Sequence, residues 1–165
     1  HKDETLNRFA GWWGNQKQTQ FLMEKAFVPE ASAEGWQLST PSPLLYAAHK
    51  AALDLFSEAG VNNVFARNKE LTDYLWFVLK EVRKELPPGS LNILTPEEKN
   101  KRGCQVSLLV QNGKQVFDNL NRNGVFADWR EPDVIRIAPV SLYNRFEDVW
   151  RFAQVLKTSI RTFAQ

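Results

Sequence analysis

The spacing of apolar residues changes twice along the sequence, and this change restricts the folds that the chain can adopt. From about residue 43 to residue 86, apolar residues recur every three or four positions, which predicts two successive helices. Pro43 suits the first position of the first helix, with Ser42 as its N-cap, and Gly60 suits the position just past its end. The P-P-G stretch at 87–89 ends the second helix.

From residue 91 onward the apolar runs are short, which is typical of strands. The predicted strands are 91–94, 104–110, 125–128 and 134–138, with a short helix at 114–123. Asn144 is the predicted N-cap of a last helix, and Glu147 would complete a capping box. The predicted buried stripe of that helix is Phe146, Val149, Phe152, Ala153, Leu156 and Ile160. This order predicts an α+β fold, a small antiparallel or mixed sheet with helices packed on one face.

Residues 1–43 lack this regularity. Glycine and proline recur through the segment, with aromatic residues between them and no sustained period. We therefore predict an extended or looped segment at 1–43 and one compact domain at 44–165.

Charge and cysteine content exclude several functions. The chain of 165 residues carries 21 basic and 19 acidic side chains in a mixed arrangement, so it has no basic footprint for nucleic acid. No window reaches 18 consecutive apolar residues, so we expect no membrane span. Cys104 is the single cysteine, and with only two histidines a metal cluster is not expected. A reducing, cytoplasmic compartment fits this cysteine usage best.

Arg136 interrupts the strand in V-I-R-I-A-P-V-S-L-Y-N, residues 134–144. Burying an unpaired guanidinium costs several kcal/mol. Arg136 therefore faces solvent, pairs with an acid of the protein, or receives an external anion, and pattern alone favours the first two. Its place near the strand end, just before Pro139, would also suit a cleft, where a guanidinium can bind a carboxylate through two parallel hydrogen bonds.

Two stretches near the N-terminus are further candidates. The glycines of G-W-W-G-N, residues 11–15, permit close backbone approach. An indole N–H there could donate to a phosphate or to a partner subunit, or the Trp side chain could simply pack a loop onto the body. Ser39, Thr40 and Ser42 precede a helix start, where anions are favoured, although ordinary capping is the better interpretation of Ser42.

Two residues that suggest chemistry are interpreted as structural. Lys50 follows His49 on a regular amphipathic helix, so we expect a solvated side chain and not a Schiff-base lysine. Cys104 begins a predicted strand without a nearby histidine, so we expect a buried structural thiol.

Five stretches together resemble the C-terminal portion of the kynureninase family, in that family's order and spacing. They are F-A-G-W-W-G (9–14), W-Q-L-S-T-P (36–41), N-I-L-T-P (92–96), R-G-C-Q (102–105) and the Arg136 motif (134–144). The resemblance implies a pyridoxal 5'-phosphate (PLP) enzyme of the aspartate-aminotransferase fold, acting as a cytoplasmic homodimer. Such an enzyme hydrolyses kynurenine or 3-hydroxykynurenine to an anthranilate and alanine, in the tryptophan catabolism that leads to NAD.

The resemblance also implies roles for individual residues. Arg136 would bind the substrate's α-carboxylate, Trp12 would contact the cofactor, and Thr40 would lie by both cofactor and substrate. Some family members have Asn where this chain has Thr40, so the preference between the two substrates stays open. Residues 1–43 would belong to the large, cofactor-binding domain, and 44–165 would be the small domain.

The family's Schiff-base lysine, its pyridinium-pairing aspartate and most phosphate ligands are expected upstream of residue 1. The isolated chain would then be inactive without the missing N-terminal large domain. Two alternatives remain at this point. The chain could be the small domain of another PLP enzyme, such as a cysteine desulfurase or aminotransferase, or a non-catalytic module that binds a carboxylate metabolite.

Overall fold

The computed structural model describes residues 6–163, and the chain divides into two compact units, His1–Asp54 and Leu55–Gln165. The first unit contains two short 3-10 helices, Trp12–Gly14 and Ala33–Trp36, and most of helix α1, Pro43–Ala59. The assignment of residues 1–43 to a cofactor-binding domain stays a prediction.

Helix α1 begins at Pro43 and ends at Ala59, as predicted. The carbonyl of Ser42 accepts the first helical hydrogen bond, from the N–H of Tyr46 at 3.1 Å. Gly60 follows with a φ of +79°, a conformation that glycine adopts without steric cost. None of the residues of α1 is buried.

The second unit is an α+β domain, which confirms the predicted class. Its elements are α2 (Val61–Lys84), β1 (Leu91–Ile93), β2 (Val106–Val110), α3 (Gly113–Arg122), β3 (Asp128–Arg130), β4 (Val134–Ile137) and α4 (Phe146–Phe163). The strands form one sheet in the order β1-β2-β4-β3, and every neighbouring pair is antiparallel. Of the two predicted alternatives, an antiparallel or a mixed sheet, the structure has the antiparallel one.

Alternate residues of the sheet point into one core shared with α2, α3 and α4. The buried strand residues are Leu91, Val106, Leu108, Val110, Ile135 and Ile137. Helices α2, α3 and α4 contribute, among others, Leu71, Leu75, Leu79, Leu120, Leu156 and Ile160. Burial of each such side chain contributes about 1.5–3 kcal/mol, so this face of the sheet holds the helices in place.

The third strand begins later than predicted. We expected residues 125–128, but β3 runs from Asp128 to Arg130. The N–H of Val125 instead donates to the carbonyl of Leu120 at 3.0 Å and closes the end of α3. A backbone donor that closes a helix end cannot also pair in a sheet, so the strand starts further on.

The predicted capping box of α4 is wrong. Asn144 Oδ1 accepts from the N–H of Val140 at 2.8 Å, within the turn before the helix. The helix begins at Phe146, and Asp148 Oδ2 accepts from the N–H of Arg145 at 2.8 Å. This backbone donor holds the pKa of Asp148 below its usual range, so Asp148 takes the role that we assigned to Glu147.

The buried stripe of α4 is confirmed, except that Phe146 is partly exposed and Ser159 joins the buried set. Among residues 6–163, no helix combines the length and the apolar character needed to cross a membrane. The same part of the chain holds no group of three His, Cys, Asp or Glu side chains arranged to bind a metal ion.

Candidate functional site

The two N-terminal motifs lie against each other because glycines remove the side chains between them. A Cβ on Gly11 would stand 2.3 Å from the carbonyl oxygen of Gln37 and 2.4 Å from Cα of Leu38. A Cβ on Gly14 would stand 2.8 Å from that same Gln37 oxygen. All three distances are shorter than real Cβ contacts. The close approach predicted for G-W-W-G-N is therefore to the chain itself, at the W-Q-L-S-T-P motif.

This approach brings Trp13 and Thr40 into contact. Trp13 Nε1 donates to Thr40 Oγ1 at 2.9 Å. The Thr40 hydroxyl keeps its own hydrogen and a second lone pair for another partner. Thr40 is exposed, so those positions can be reached from outside the unit.

Trp12 lies beside this pair with its indole N–H available. Its ring packs edge-on against Trp13 and against Phe21, with 5.3 Å between ring centroids in each case. Gln20 Nε2 donates to the Trp12 carbonyl at 3.1 Å and fixes the backbone. Trp12 is 45% exposed, and its Nε1 has no acceptor in the described part of the chain. Of the two adjacent indoles, Trp13 is used internally and Trp12 can donate to a ligand.

Arg136 belongs to the second unit, on the face of the sheet opposite the helices. Its neighbours Ile135 and Ile137 are buried in the core, and strand alternation turns Arg136 the other way. Ser107 of β2 and Asp128 of β3 are its cross-strand partners. The guanidinium thus avoids the core, and its side chain is 29% exposed.

Asp128 is the acid that pairs with this guanidinium. Arg136 Nε donates to Asp128 Oδ2 at 2.5 Å, and Arg136 Nη2 contacts the same oxygen. Arg130 Nε lies 3.1 Å from that oxygen as well. The hydrogen bond from Arg136 holds the pKa of Asp128 below its usual range, against the opposing effect of burial. Of the three alternatives for Arg136, the structure shows pairing with an internal acid; its substrate role stays a prediction.

The pairing leaves part of the Arg136 guanidinium unused. Nε and Nη2 form one edge of the planar group, and that edge meets Asp128. The other edge, formed by Nη1 and Nη2, meets no acceptor among residues 6–163. Two guanidiniums share one carboxylate here, since Arg130 also contacts Asp128, so the cluster keeps one net positive charge. Such an edge can bind a second carboxylate with two parallel hydrogen bonds.

Arg136 does not line either of two grooves on this unit. The larger, of about 870 Å³, runs along α4 and is bordered by the tail of the same motif, including Pro139 and Tyr143. The other, of about 710 Å³, lies at the start of α3. Arg136 instead stands on a partly open sheet face.

The R-G-C-Q motif has a structural role. The side chain of Arg102 is only 6% exposed, and Nη2 lies 3.2 Å from Asp73 Oδ1. Its Nη1 donates to the Glu97 carbonyl at 2.5 Å, and the guanidinium lies 4.3 Å from the centroid of the Trp76 ring. This arginine holds the segment before β2 against α2. Cys104, in the same motif, is half-buried, and β2 begins only at Val106, so the prediction of a buried thiol at the strand start is wrong.

Lys50 is confirmed as a solvated side chain. It lies on α1 and its Nζ pairs with Asp54 Oδ2 at 2.6 Å, with both side chains mostly exposed.

The sequence pattern indicated no partner for Arg136, so its pairing with Asp128 was not predicted. The only signal was the two-residue spacing of Asp128 and Arg130, which places both on one face of a strand; the register that brings them to Arg136 is not readable from sequence.

Comparison with known families decides the relationship. Residues 64–156 match the family model described as "Kynureninase C-terminal domain". The chain belongs to the kynureninase family. The match covers most of α2, the whole sheet and most of α4, and it includes Arg136 with its partner Asp128.

Kynureninases of several bacteria are similar over nearly all of this chain. The kynureninase of Flavobacterium psychrophilum is 45% identical over 161 residues, which cover 97% of this chain and 38% of that protein. The kynureninase of Stenotrophomonas maltophilia is 48% identical over 158 residues, covering 93% of this chain and 36% of that protein. The chain therefore spans little more than a third of the length of these relatives.

Solved structures show the fold. A C-DES mutant with glycine covalently linked to the PLP cofactor superposes with a TM-score of 0.67 at 16% identity, covering 90% of this chain and 37% of that one. A NifS-like protein gives 0.60 at 16% identity, covering 84% and 41%. An alanine–glyoxylate aminotransferase from Nostoc gives 0.55 at 21% identity, covering 79% and 35%. The predicted small-domain fold of PLP enzymes is confirmed.

Proposed function

We propose that this chain is the C-terminal part of a PLP-dependent hydrolase of carbon–carbon bonds. The full-length enzyme would cleave kynurenine or 3-hydroxykynurenine, adding water across the bond between the side-chain carbonyl and the β-carbon. The products would be an anthranilate and alanine. Membership of the kynureninase family supports this activity. The observation that carries it in this chain is the Arg136 guanidinium, whose Nη1/Nη2 edge is free to receive a carboxylate.

Arg136 would bind the α-carboxylate of the substrate. A bidentate pair fixes the direction of the carboxylate as well as its position, which a point charge does not. Holding the carboxylate in this way would fix the rotation about the α-carbon, so that the reacting bond takes the orientation that the chemistry needs. A charged hydrogen bond of this kind contributes about 1.5–3 kcal/mol.

Trp12 and Thr40 fit one part of PLP and of the substrate. The indole N–H of the partly exposed Trp12 suits a phosphate oxygen, and the Thr40 hydroxyl, oriented by Trp13, can make one further hydrogen bond. The bound cofactor would supply an electron sink for the α-carbon. The lysine and the aspartate that hold its ring would come from the part of the enzyme that precedes residue 1.

The partners that we propose are that large domain and a second subunit of a cytoplasmic homodimer. Helix α1 supports an additional contact surface, since Leu44 and Leu45 are more than two-thirds exposed and none of its residues is buried. The single cysteine fits a reducing compartment.

The test is a substrate comparison with the full-length protein. We expect release of an anthranilate from kynurenine or 3-hydroxykynurenine, measured by its fluorescence, and no comparable turnover of cysteine or of an alanine–glyoxylate pair. Residues 1–165 alone should release none. Turnover of cysteine or transamination instead would assign the chain to another branch of the PLP enzymes, and carboxylate binding without turnover would assign it to a binding module.

A further inference from the structure

The partner of Arg136 is set by the backbone. Asp128 and Arg136 stand directly opposite each other in the antiparallel pair of β3 and β4. Side chains at such positions are about 5 Å apart at Cβ and interact without spanning a loop. The pair is therefore present whenever the sheet is formed.

The contact also selects which edge of the guanidinium is used. Asp128 Oδ2 takes the Nε hydrogen at 2.5 Å and contacts Nη2, so it holds the side of the group next to the aliphatic stem. The outer edge, Nη1 with the second hydrogen of Nη2, projects away from Asp128. A free arginine side chain samples many rotamers, and ordering it costs up to about 2 kcal/mol. The ion pair with Asp128 orders the Arg136 side chain before any ligand binds, so the ligand does not have to supply that free energy.

Arg130 prevents the pair from becoming neutral. Its Nε lies 3.1 Å from the same Asp128 oxygen, and its side chain is mostly exposed. One carboxylate is thus divided between two guanidiniums. An incoming anion meets residual positive charge and not a compensated ion pair.

We propose that Asp128 is a positioning residue for the carboxylate site: it grips the Nε/Nη2 edge of Arg136 and presents the Nη1/Nη2 edge to the α-carboxylate of the substrate. This inference rests on the proposed function of Arg136. It extends that function, because the preference for a substrate with an α-carboxylate over an amine without one would depend on Asp128 and Arg136 together and not on Arg136 alone.

The experiment is Asp128→Asn in the full-length enzyme with its cofactor. Asparagine keeps the size and one acceptor oxygen but removes the charge, so the sheet should be retained. Two competitive ligands are compared: a substrate analogue with the α-carboxylate, and the same compound with hydrogen in its place. We expect the carboxylate ligand to weaken about tenfold, in the range of a lost charged hydrogen bond, with a similar rise in KM. The ligand without the carboxylate should change less than about twofold.

A matched control is Asp118→Asn, which breaks an exposed ion pair on α3, where Lys114 Nζ lies 2.8 Å from Asp118 Oδ1. It should change neither ligand. Arg136→Lys is measured in parallel, and adding Asp128→Asn to it should cost less than about twofold more, since the positioned group is already gone. If Asp128→Asn does not fold, Asp128→Glu keeps the charge and shifts the carboxylate, and it should show the same selective loss.

The outcomes separate the two proposals. If Arg136→Lys leaves both ligands unchanged, the proposed function of Arg136 fails. If Arg136→Lys weakens the carboxylate ligand but the Asp128 variants do not, only the positioning role is overturned. Tighter binding of the carboxylate ligand to Asp128→Asn would overturn it too, because Asp128 would then be a competing anion.

Discussion

At the scale of single residues, two arginines of this chain show how context assigns a role. Arg102 is almost fully buried, stacks on Trp76 and is bound by Asp73 and a carbonyl, so its hydrogen-bonding capacity is spent inside the fold. Arg136 pairs with Asp128 through its Nε/Nη2 edge, and its Nη1/Nη2 edge has no partner among residues 6–163. Both arginines fell within motifs that resembled the family, and only the hydrogen-bond partners separate the structural arginine from the candidate binding residue.

Asp73 provides a prediction about stability and pH. Lys99 donates to Asp73 Oδ2 at 2.6 Å, and this hydrogen bond, with a further one from Arg102, holds the pKa of Asp73 below its usual range. A lowered pKa means that the stabilisation is fully present above the unfolded-state pKa of about 3.9 and is lost as the pH falls through the folded-state value. Asp73→Asn should therefore lower stability at neutral pH, by about 1–2 kcal/mol, because Arg102 keeps a buried charge with one partner fewer.

The measurement is the urea midpoint of the full-length protein and of Asp73→Asn, from about pH 7 down to about pH 3.5. The difference between the two should shrink at the acid end. A difference that stays constant over this range would show that charge on Asp73 is not its source. Asp118→Asn, on an exposed pair, serves as the control with a smaller effect.

Residue roles were only partly predictable from sequence. The helical position of Lys50 sufficed to identify it as a solvated side chain, because periodicity alone places it on a helix surface. The partner of Arg136 was not predictable, since Asp128 reaches it through strand register and not through proximity in sequence. The distinction between Trp12 and Trp13 was also beyond the sequence, because it depends on which indole meets Thr40.

At the scale of elements, helices were predicted well and their ends less well. A sustained three- and four-residue spacing fixed α2 and its buried stripe, since one apolar face has to meet the sheet. The start of α4 and the start of β3 were misplaced for one shared reason. In each case a local hydrogen bond, at Asn144 Oδ1 or at the N–H of Val125, used a group that the pattern assigned elsewhere.

The close packing of the two N-terminal motifs gives an element-scale prediction. Gly11→Ala would place a methyl group 2.3 Å from the Gln37 oxygen, so the loop and the 35–38 segment have to separate. We expect a loss of about 1–3 kcal/mol in the free energy of unfolding of the full-length protein, as in other overpacked sites. The Trp13–Thr40 hydrogen bond should also weaken.

Urea unfolding followed by tryptophan fluorescence measures this loss. Gly103→Ala is the matched control, because an added Cβ there meets nothing within 4 Å. It should change stability by less than about 0.5 kcal/mol. Equal effects of the two substitutions would contradict the account of the glycine contact.

At the scale of the whole molecule, the chain belongs to the kynureninase family and covers little more than a third of its relatives' length. Its sheet buries one face under three helices and presents Arg136, Asp128 and Arg130 on the other. The fold class followed from the order of elements. The family followed from motifs spread over the chain. Neither could supply the orientation of a guanidinium edge, on which the proposed activity of the longer enzyme depends.

The most direct test of the account is the kinetics of Arg136→Lys in the full-length enzyme with kynurenine. Lysine keeps the positive charge beside Asp128 but lacks the planar fork. We predict a fall in kcat/KM of about 10- to 100-fold, corresponding to the loss of about 1.5–3 kcal/mol of binding in the transition state, with the melting temperature preserved. Kinetics within about twofold of the original enzyme would show that Arg136 is only the partner of Asp128 and would contradict the central claim.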